Sequence, residues 1–583
     1  MEYSFLNKNE IGTVDLRTEE VDAGVTLLSV SVTFPTPIEP KPVLIRWREP
    51  CLDTCANLRG CLSMERTLSP VWKKHRSEAR LASSVPFSSW ISNGSENRLT
   101  VALSDAETPT EIAGGISEMN GDLVCEVSFF TQRVSPISSY HALIRLDRRA
   151  VRYEEALRGA DRFWEEQGYS YAHIPDAARE PLYSCWYSFH QNLNVPAVLE
   201  QCRLAKEYGM ETVIVDDGWQ TEDQSGGYAH CGTWKVAAGK IPDMKAFVDG
   251  VHAIGMKFVL WYSVPFVGKE DPSYARFSDM TLGGAPDAVH LALDPRYPEV
   301  RAYLVGTYER AAREWGLDGF KLDFIDSFAL NAFTKAFDPR WDTISLEEAV
   351  DRLLQEITVT LKRINPEVLI EFRQSYIGPA IRKYGNMLRV SDCPEDPLRN
   401  RVYSVDMRQL LGPVPVHSDM LMWHLEETPE AVAYQMITTL FCVPQISVLL
   451  DRIPETHRAV LRFYLSFWKA HREVLLGGTL SGDHPEALYS QVRSVKNGTL
   501  ISVAYTDPVL SCGEENALCF FNATGSGELF LRSAGSSRKG LITIQNCMGE
   551  VLLKKEAVLL PGIQAFEVPR CGLLSFTVLP EGQ

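Results

Sequence analysis

Lys321 and Asp323 stand two residues apart at the end of the apolar run Asp318-Gly-Phe-Lys-Leu-Asp-Phe324. Alternate side chains of an extended strand share a face, so the ammonium and the carboxylate point the same way. Val213-Ile-Val-Asp-Asp-Gly-Trp219 places two more carboxylates at the end of a second run, and Leu388-Arg-Val-Ser-Asp392 places an arginine and an acid at a third. Acids fixed beside cations at the C-terminal ends of strands serve as nucleophiles, general acids and general bases in barrel and open α/β enzymes. Three such ends predict one shared site.

Taken in order, the strand ends carry Trp186, Asp216, Asp217, Trp219, Trp261, Lys321, Asp323, Arg373, Gln374, Arg389, Asp392, His417 and Asp419. This set has acids, cations and indoles, but no Cys/His ligand cluster and no Ser–His nucleophile pair. His417 and His424 are too few for a metal centre, and Cys51, Cys55 and Cys61 lack a zinc spacing. Acids with aromatics suit the cleavage of a glycosidic bond, which passes through an oxocarbenium-like state. One carboxylate attacks or stabilises the anomeric carbon, and another donates a proton to the leaving oxygen. Tryptophans cover the apolar faces of a sugar, and charged forks bind its hydroxyls.

Eight apolar segments present these residues: roughly 182–189, 212–217, 257–263, 320–325, 368–373, 387–392, 414–420 and 447–450. Helical patterns fill the gaps. Glu299 to Trp315 carries an apolar face and stops at Gly316, and Ser345 to Ile364 carries Leu346, Val350, Leu353, Leu354, Ile357 and Leu361 on one face. Eight β/α units over this length predict a (β/α)8 barrel. A doubly wound sheet would need a nucleotide fingerprint, and none follows a strand here. Before the barrel, alternating runs such as Val25–Phe34, Arg98–Leu103 and Leu123–Phe130 predict a β-sandwich over 1–150. The barrel with its entry helix takes 151–475, and Thr499–Tyr505, Ala517–Asn522 and Gly540–Gln545 predict a second antiparallel β domain over 476–583.

The chain has 583 residues, 45% of them hydrophobic, enough for several cores, and a formal net charge of −17. That balance argues against nucleic acid or an anionic membrane as a partner. No apolar run is long enough to span a bilayer and the start has no secretory pattern, so with 13 unpatterned cysteines the expected setting is the reducing cytoplasm.

The chain resembles family 36 of the glycoside hydrolases, the α-galactosidase group of retaining barrel enzymes, from about Tyr153 to His424. The resemblance is carried by Val215-Asp-Asp-Gly-Trp219, Gly232-Thr-Trp234 with Lys240-Ile-Pro242, Gly255-Met-Lys-Phe-Val-Leu-Trp261, Leu293-Asp294, Gly319-Phe-Lys-Leu-Asp323 and Arg389-Val-Ser-Asp392. It implies Asp323 as nucleophile and Asp392 as acid, then base. Asp216 and Asp217 would hold the 4- and 6-hydroxyls of a galactose-like ring, and Lys321 and Arg389 neighbouring hydroxyls. Trp186, Trp219, Trp234 and Trp261 would shape the pocket. No metal or organic cofactor is implied. A small carbohydrate is the expected partner, and a homo-oligomer is compatible with the resemblance.

The chain departs from the family at the fifth strand end. Glu371-Phe-Arg-Gln-Ser-Tyr-Ile-Gly378 replaces a Cys/Ser-Gly-Gly segment near the 2-hydroxyl, making Gln374 the residue to watch for the 2-substituent. Asp326 competes with Asp323 as nucleophile but faces the other side of an ideal strand, and Glu395 and Asp396 compete with Asp392. The leading expectation is a retaining α-galactosidase with its two carboxyls about 5–5.5 Å apart. The alternatives are an α-N-acetylgalactosaminidase, a galactosyl transglycosylase, or a non-catalytic sugar-binding protein.

Overall fold

The computed structural model describes residues 3–579. Eight parallel strands close into a barrel: β1 (Leu182–Ser184), β2 (Thr212–Val215), β3 (Lys257–Ser263), β4 (Gly319–Asp323), β5 (Leu369–Arg373), β6 (Met387–Arg389), β7 (Val416–Leu421) and β8 (Val443–Ile446). Leu182 pairs with Gln445, and that ladder closes the ring. The strands are rich in Val, Ile, Leu and Phe because helices cover the outside of the barrel while side chains fill its interior.

Two departures from the sequence reading follow from local chemistry. The first strand is short, because Trp186–Phe189 turns into a helix at its end. The eighth lies at Val443–Ile446, upstream of the apolar run at 447–450, which forms the turn that follows. Pro444 marks that segment as a breaker in sequence. Here it lies within a strand only four residues long, where few ladder bonds depend on its missing N–H.

The helices begin and end where their caps direct. Helix Pro298–Trp315 ends at Gly316 in the left-handed conformation, and Leu346–Ile364 buries Leu346, Val350, Leu353, Leu354, Ile357 and Leu361. Asp396 caps Pro397–Leu410 by accepting from the Arg399 N–H, which fixes the chain just after β6.

Before the barrel lie a five- and a six-stranded antiparallel sheet, enclosing Leu28, Val30, Ile45, Trp47, Val101 and Val127. After it lie a seven-stranded sheet, in which one neighbouring pair is parallel, and a three-stranded sheet. The first sandwich reaches the mouth of the barrel. Arg80 donates to the backbone oxygens of Asp326 (2.8 Å) and Phe328 (2.7 Å), and the Ser84 N–H donates to the Ser375 carbonyl (2.8 Å). Buried Arg66 pairs with Asp406 at 2.5 Å, and Tyr489, from the C-terminal region, donates to the same carboxylate.

Candidate active site

Register brings the charged strand ends together. Trp261 lies opposite Lys321 and Ser263 opposite Asp323 on β3 and β4; Lys321 lies opposite Glu371 on β5; Arg373 lies opposite Arg389 on β6. Lys321 and Asp323 share one face, as period two requires.

Asp323 is 6% exposed and its carboxylate is held on both oxygens. Oδ1 accepts from Arg373 Nε (2.6 Å), the Tyr376 hydroxyl (3.1 Å) and the Phe324 N–H (2.8 Å). Phe324 has a φ of 64°, and this left-handed turn brings its own N–H to the preceding side chain. Oδ2 accepts a single bond, from Trp261 Nε1 at 2.9 Å. Burial pushes the Asp323 carboxyl up, but Arg373, Lys321, the indole N–H and Arg389 outweigh burial and hold it far below the usual carboxylate range. Asp323 therefore presents an anion whose Oδ2 is the less occupied oxygen.

Lys321 donates to Asp216 Oδ2 at 2.6 Å, with both side chains buried. Burial pushes the Lys321 ammonium toward neutrality, but Asp216 more than compensates and keeps it charged. Asp217, beside it, takes 2.7 Å bonds from Gln191 on Oδ2 and Gln220 on Oδ1. Burial dominates there, the neighbouring Asp216 charge adds to it, and the Asp217 carboxyl is pushed up to about 6 despite those two donors. Gly218 is required next to this pair: its φ is 108°, and a Cβ would meet the Gln191 Cα at 2.5 Å.

Arg389 is 1% exposed and gathers three acids. It bonds Asp392 Oδ1 at 2.8 Å and Asp419 Oδ1, and Glu371 lies 3.8 Å away. Asp392 is half exposed. Desolvation pushes its carboxyl up, but Arg389, Lys321 and Arg373 prevail and hold it low. Neighbouring Glu395 and Asp396 do not govern Asp392. The cations do, and they are the same three that act on Asp323.

The tryptophans divide. Trp261 bonds Asp323 directly. Trp219 is sealed from solvent, with its indole N–H spent on the Trp261 carbonyl (2.8 Å) and its ring stacked on Trp234 at 5.9 Å, behind the wall those two form. Trp234 is 5% exposed, and Trp186 is partly exposed against His190. Gln374 also differs from its expected use. Its Nε2 donates to the Leu62 carbonyl of the first sandwich (3.3 Å) and its Oε1 accepts from the Ser391 N–H (3.4 Å) just after β6, so both ends of the amide have protein partners. His417 lies within β7, fully buried, bonded to the Ala178 carbonyl and pushed down to about 4 by burial.

Sequence reasoning missed Tyr376, Tyr228, Gln191 and Gln220. Tyr228 stacks on Trp261 at 6.2 Å and meets Phe324 edge-on at 5.0 Å. Nothing in a single sequence marks it beyond its place on the loop after β2. Tyr376 follows Arg373 by three residues, within the turn that begins at Gln374, and only that turn brings its hydroxyl back to Asp323.

The closed (β/α)8 barrel thus carries a buried, ionised acid at the end of its fourth strand and a second acid beyond its sixth. Residues 172–380 match the melibiase family model. The solved α-galactosidase AgaA of Geobacillus stearothermophilus superposes with a TM-score of 0.66 at 15% identity, covering 99% of this chain and 89% of that one; the α-galactosidase of Lactobacillus brevis gives 0.64 at 15%, covering 100% and 86%. Among curated proteins, the A type blood alpha-D-galactosamine galactosaminidase of Flavonifractor plautii is 23% identical over 197 residues, 31% of this chain and 17% of its own length. Alpha-galactosidase Mel36A of Lactobacillus acidophilus is 31% identical over 111 residues, 18% and 15% of the two lengths. The stretches matched thus span less than a fifth of these curated relatives. The family resemblance and the fold expected from sequence are borne out.

Proposed function

We propose that this protein is a retaining, exo-acting α-galactosidase that releases terminal α-linked galactose from small oligosaccharides or glycosides. The observation that carries the reading is the state of Asp323: an anion at the mouth of the barrel, with Oδ1 occupied by three donors and Oδ2 by one, beside an acid subject to the same three cations. Asp323 Oδ2 attacks the anomeric carbon while the bond to the leaving oxygen breaks, and Asp392 supplies that oxygen's proton. Asp392 then takes a proton from water, which displaces Asp323 with net retention. Asp392 is held as an anion in the free protein, so it takes up its proton as substrate enters and displaces water from its exposed side. Asp216 and Asp217 grip ring hydroxyls, Lys321 and Arg389 order the acids, and Trp186, Trp234 and Trp261 form the walls.

The match of residues 172–380 to the melibiase family model and the partial matches to α-galactosidases support this reading. We assign the catalysis to residues 151–475 and the flanking parts 1–150 and 476–583 to supporting β domains. The chemistry requires no cofactor. Thirteen free cysteines support a cytoplasmic setting, and among the described residues no helix is long and apolar enough to cross a membrane.

The test is turnover of 4-nitrophenyl α-galactoside with the product anomer followed by NMR. The wild type releases α-galactose first, and Asp323→Ala folds but shows no turnover. Release of the β-anomer, or wild-type rates in Asp323→Ala, refutes the assignment.

A further inference from the structure

One carboxylate on β7 grips the chain on both sides of Asp392. Asp419 is wholly buried, and both of its oxygens are held. Oδ1 accepts from Arg389, and Oδ2 accepts from the Cys393 N–H at 2.6 Å and the Tyr187 hydroxyl at 3.0 Å. Arg389 precedes Asp392 on the same strand end and bonds its Oδ1 at 2.8 Å, and Cys393 is the next residue along. The acid thus hangs between two groups that both end on Asp419.

A break in the regularity of the barrel puts Asp419 there. In the ladder between β7 and β8, His417 lies opposite Val443 and Met420 opposite Gln445, so three steps along β7 match two along β8. The extra residue makes a bulge, a device that re-aims side chains beside active sites. Within it the Ser418 hydroxyl oxygen accepts from the Gln445 N–H at 3.0 Å. Asn400, on the helix Pro397–Leu410, holds the main chain of Asp419 from both sides: its amide oxygen accepts from the Asp419 N–H at 3.1 Å, and its amide nitrogen donates to the Asp419 carbonyl at 3.2 Å. That helix is capped by Asp396, on the segment that carries Asp392, so the connection closes on itself. A mere counter-ion for Arg389 would need none of this. Arg389 already bonds Asp392 and has Glu371 at 3.8 Å, and a bond to the Cys393 N–H adds nothing to its charge balance. What that bond fixes is backbone.

We infer that Asp419 is the positioning residue of the proton donor: seated by the β7 bulge and by Asn400, it fixes Arg389 and the Cys393 N–H, and through them the place of the Asp392 carboxyl. The inference rests on the α-galactosidase reading and deepens it, because it names what holds the acid of that reaction. Asp419 is sealed from solvent, so it acts through these groups and not on the sugar.

Asp419→Asn keeps the shape and breaks the grip. The new NH2 must face either Arg389 or the Cys393 N–H, and neither can accept from it. The assay is kcat/KM, which reads the first irreversible step, on two substrates. Phenyl α-galactoside leaves through an oxygen that needs a proton, and 2,4-dinitrophenyl α-galactoside through one that does not. Misplacing a reacting group by about 1 Å costs on the order of a hundredfold, so the variant loses about tenfold to a hundredfold on the phenyl glycoside and less than about threefold on the dinitrophenyl glycoside. Asn400→Ala leaves Asp419, Arg389 and Asp392 in the chain but frees the main chain of Asp419. It lowers the same ratio in the same direction, and it decides the question if Asp419→Asn does not fold. Equal losses on the two substrates, or a wild-type ratio in the folded variant, overturn the inference. A wild type that turns over no α-galactoside sinks the α-galactosidase reading instead. Crystal structures of wild type and Asp419→Asn then decide the role of Asp419: an Asp392 carboxyl displaced by about 1 Å or more supports it, and one left in place overturns it.

Discussion

Asp217 makes the pH profile of this protein a readout of two glutamines. Its carboxyl is buried, bonded by Gln191 and Gln220 at 2.7 Å each, and pushed up to about 6 because burial and the charge of Asp216 outweigh those donors. If ionised Asp217 grips a ring hydroxyl, kcat/KM falls as pH drops through about 6. Gln220→Leu removes one charge-assisted hydrogen bond, worth about 1.5 kcal/mol at the low end for a partly exposed donor. At about 1.36 kcal/mol per unit, the acidic limb moves up by about one unit, to near pH 7, while the alkaline plateau stays within a few fold. The assay is initial-rate kcat/KM on 4-nitrophenyl α-galactoside across the limb, with Gln191→Leu as an independent repeat. Stability carries the opposite signature. The folded value lies about two units above an unfolded value near 3.9, so this group's contribution is full below about pH 4, and about 3 kcal/mol of it is lost as pH rises through about 6. A limb that stays in place in both variants, or one well below pH 5 in the wild type, refutes the assignment of Asp217 as the titrating group.

Other substitutions test the remaining parts. Lys321→Met leaves the Asp216 carboxylate buried without its cation and costs about 3–5 kcal/mol, read as a lowered calorimetric transition; an unchanged melting profile means that the pair carries no structural weight. Tyr376→Phe removes one of three donors to Asp323 Oδ1 and lowers kcat roughly tenfold, with KM nearly constant. Asp392→Asn slows glycosides with poor leaving groups by orders of magnitude but spares the first step for 2,4-dinitrophenyl galactoside, whose leaving group needs no proton; equal losses on both argue against Asp392 as the acid. Arg66→Leu strands buried Asp406, and it destabilises the fold by about 3–5 kcal/mol without changing kcat of the folded fraction, by active-site titration.

Much of the barrel was legible because its strands are continuous apolar runs ending in charge. Asp216, Lys321, Asp323 and Arg389 come together because strand period and register are local rules. The eighth strand escaped because Pro444 masked it and the more apolar 447–450 drew the eye. Residue type alone does not tell whether an indole N–H is already spent, as that of Trp219 is on the Trp261 carbonyl. Sequence left Glu395 and Asp396 in competition with Asp392, and only the fold shows that Asp392 is the one bonded by Arg389, three residues earlier on the same strand end. Tyr376 and Tyr228 were invisible because turn geometry, not spacing, brings them to the site.

The grip of the first sandwich on the barrel mouth constrains any attempt at a minimal catalyst. Arg80 anchors the segment just after Asp323, and the Leu62 carbonyl and Ser84 N–H hold the one containing Gln374 and Ser375, which adjoins Arg373. Excising the central cylinder would free both rims that flank Asp323 and Arg373. The first sandwich is thus a brace on the barrel mouth rather than a detachable accessory, and a barrel cut free of it loses those supports.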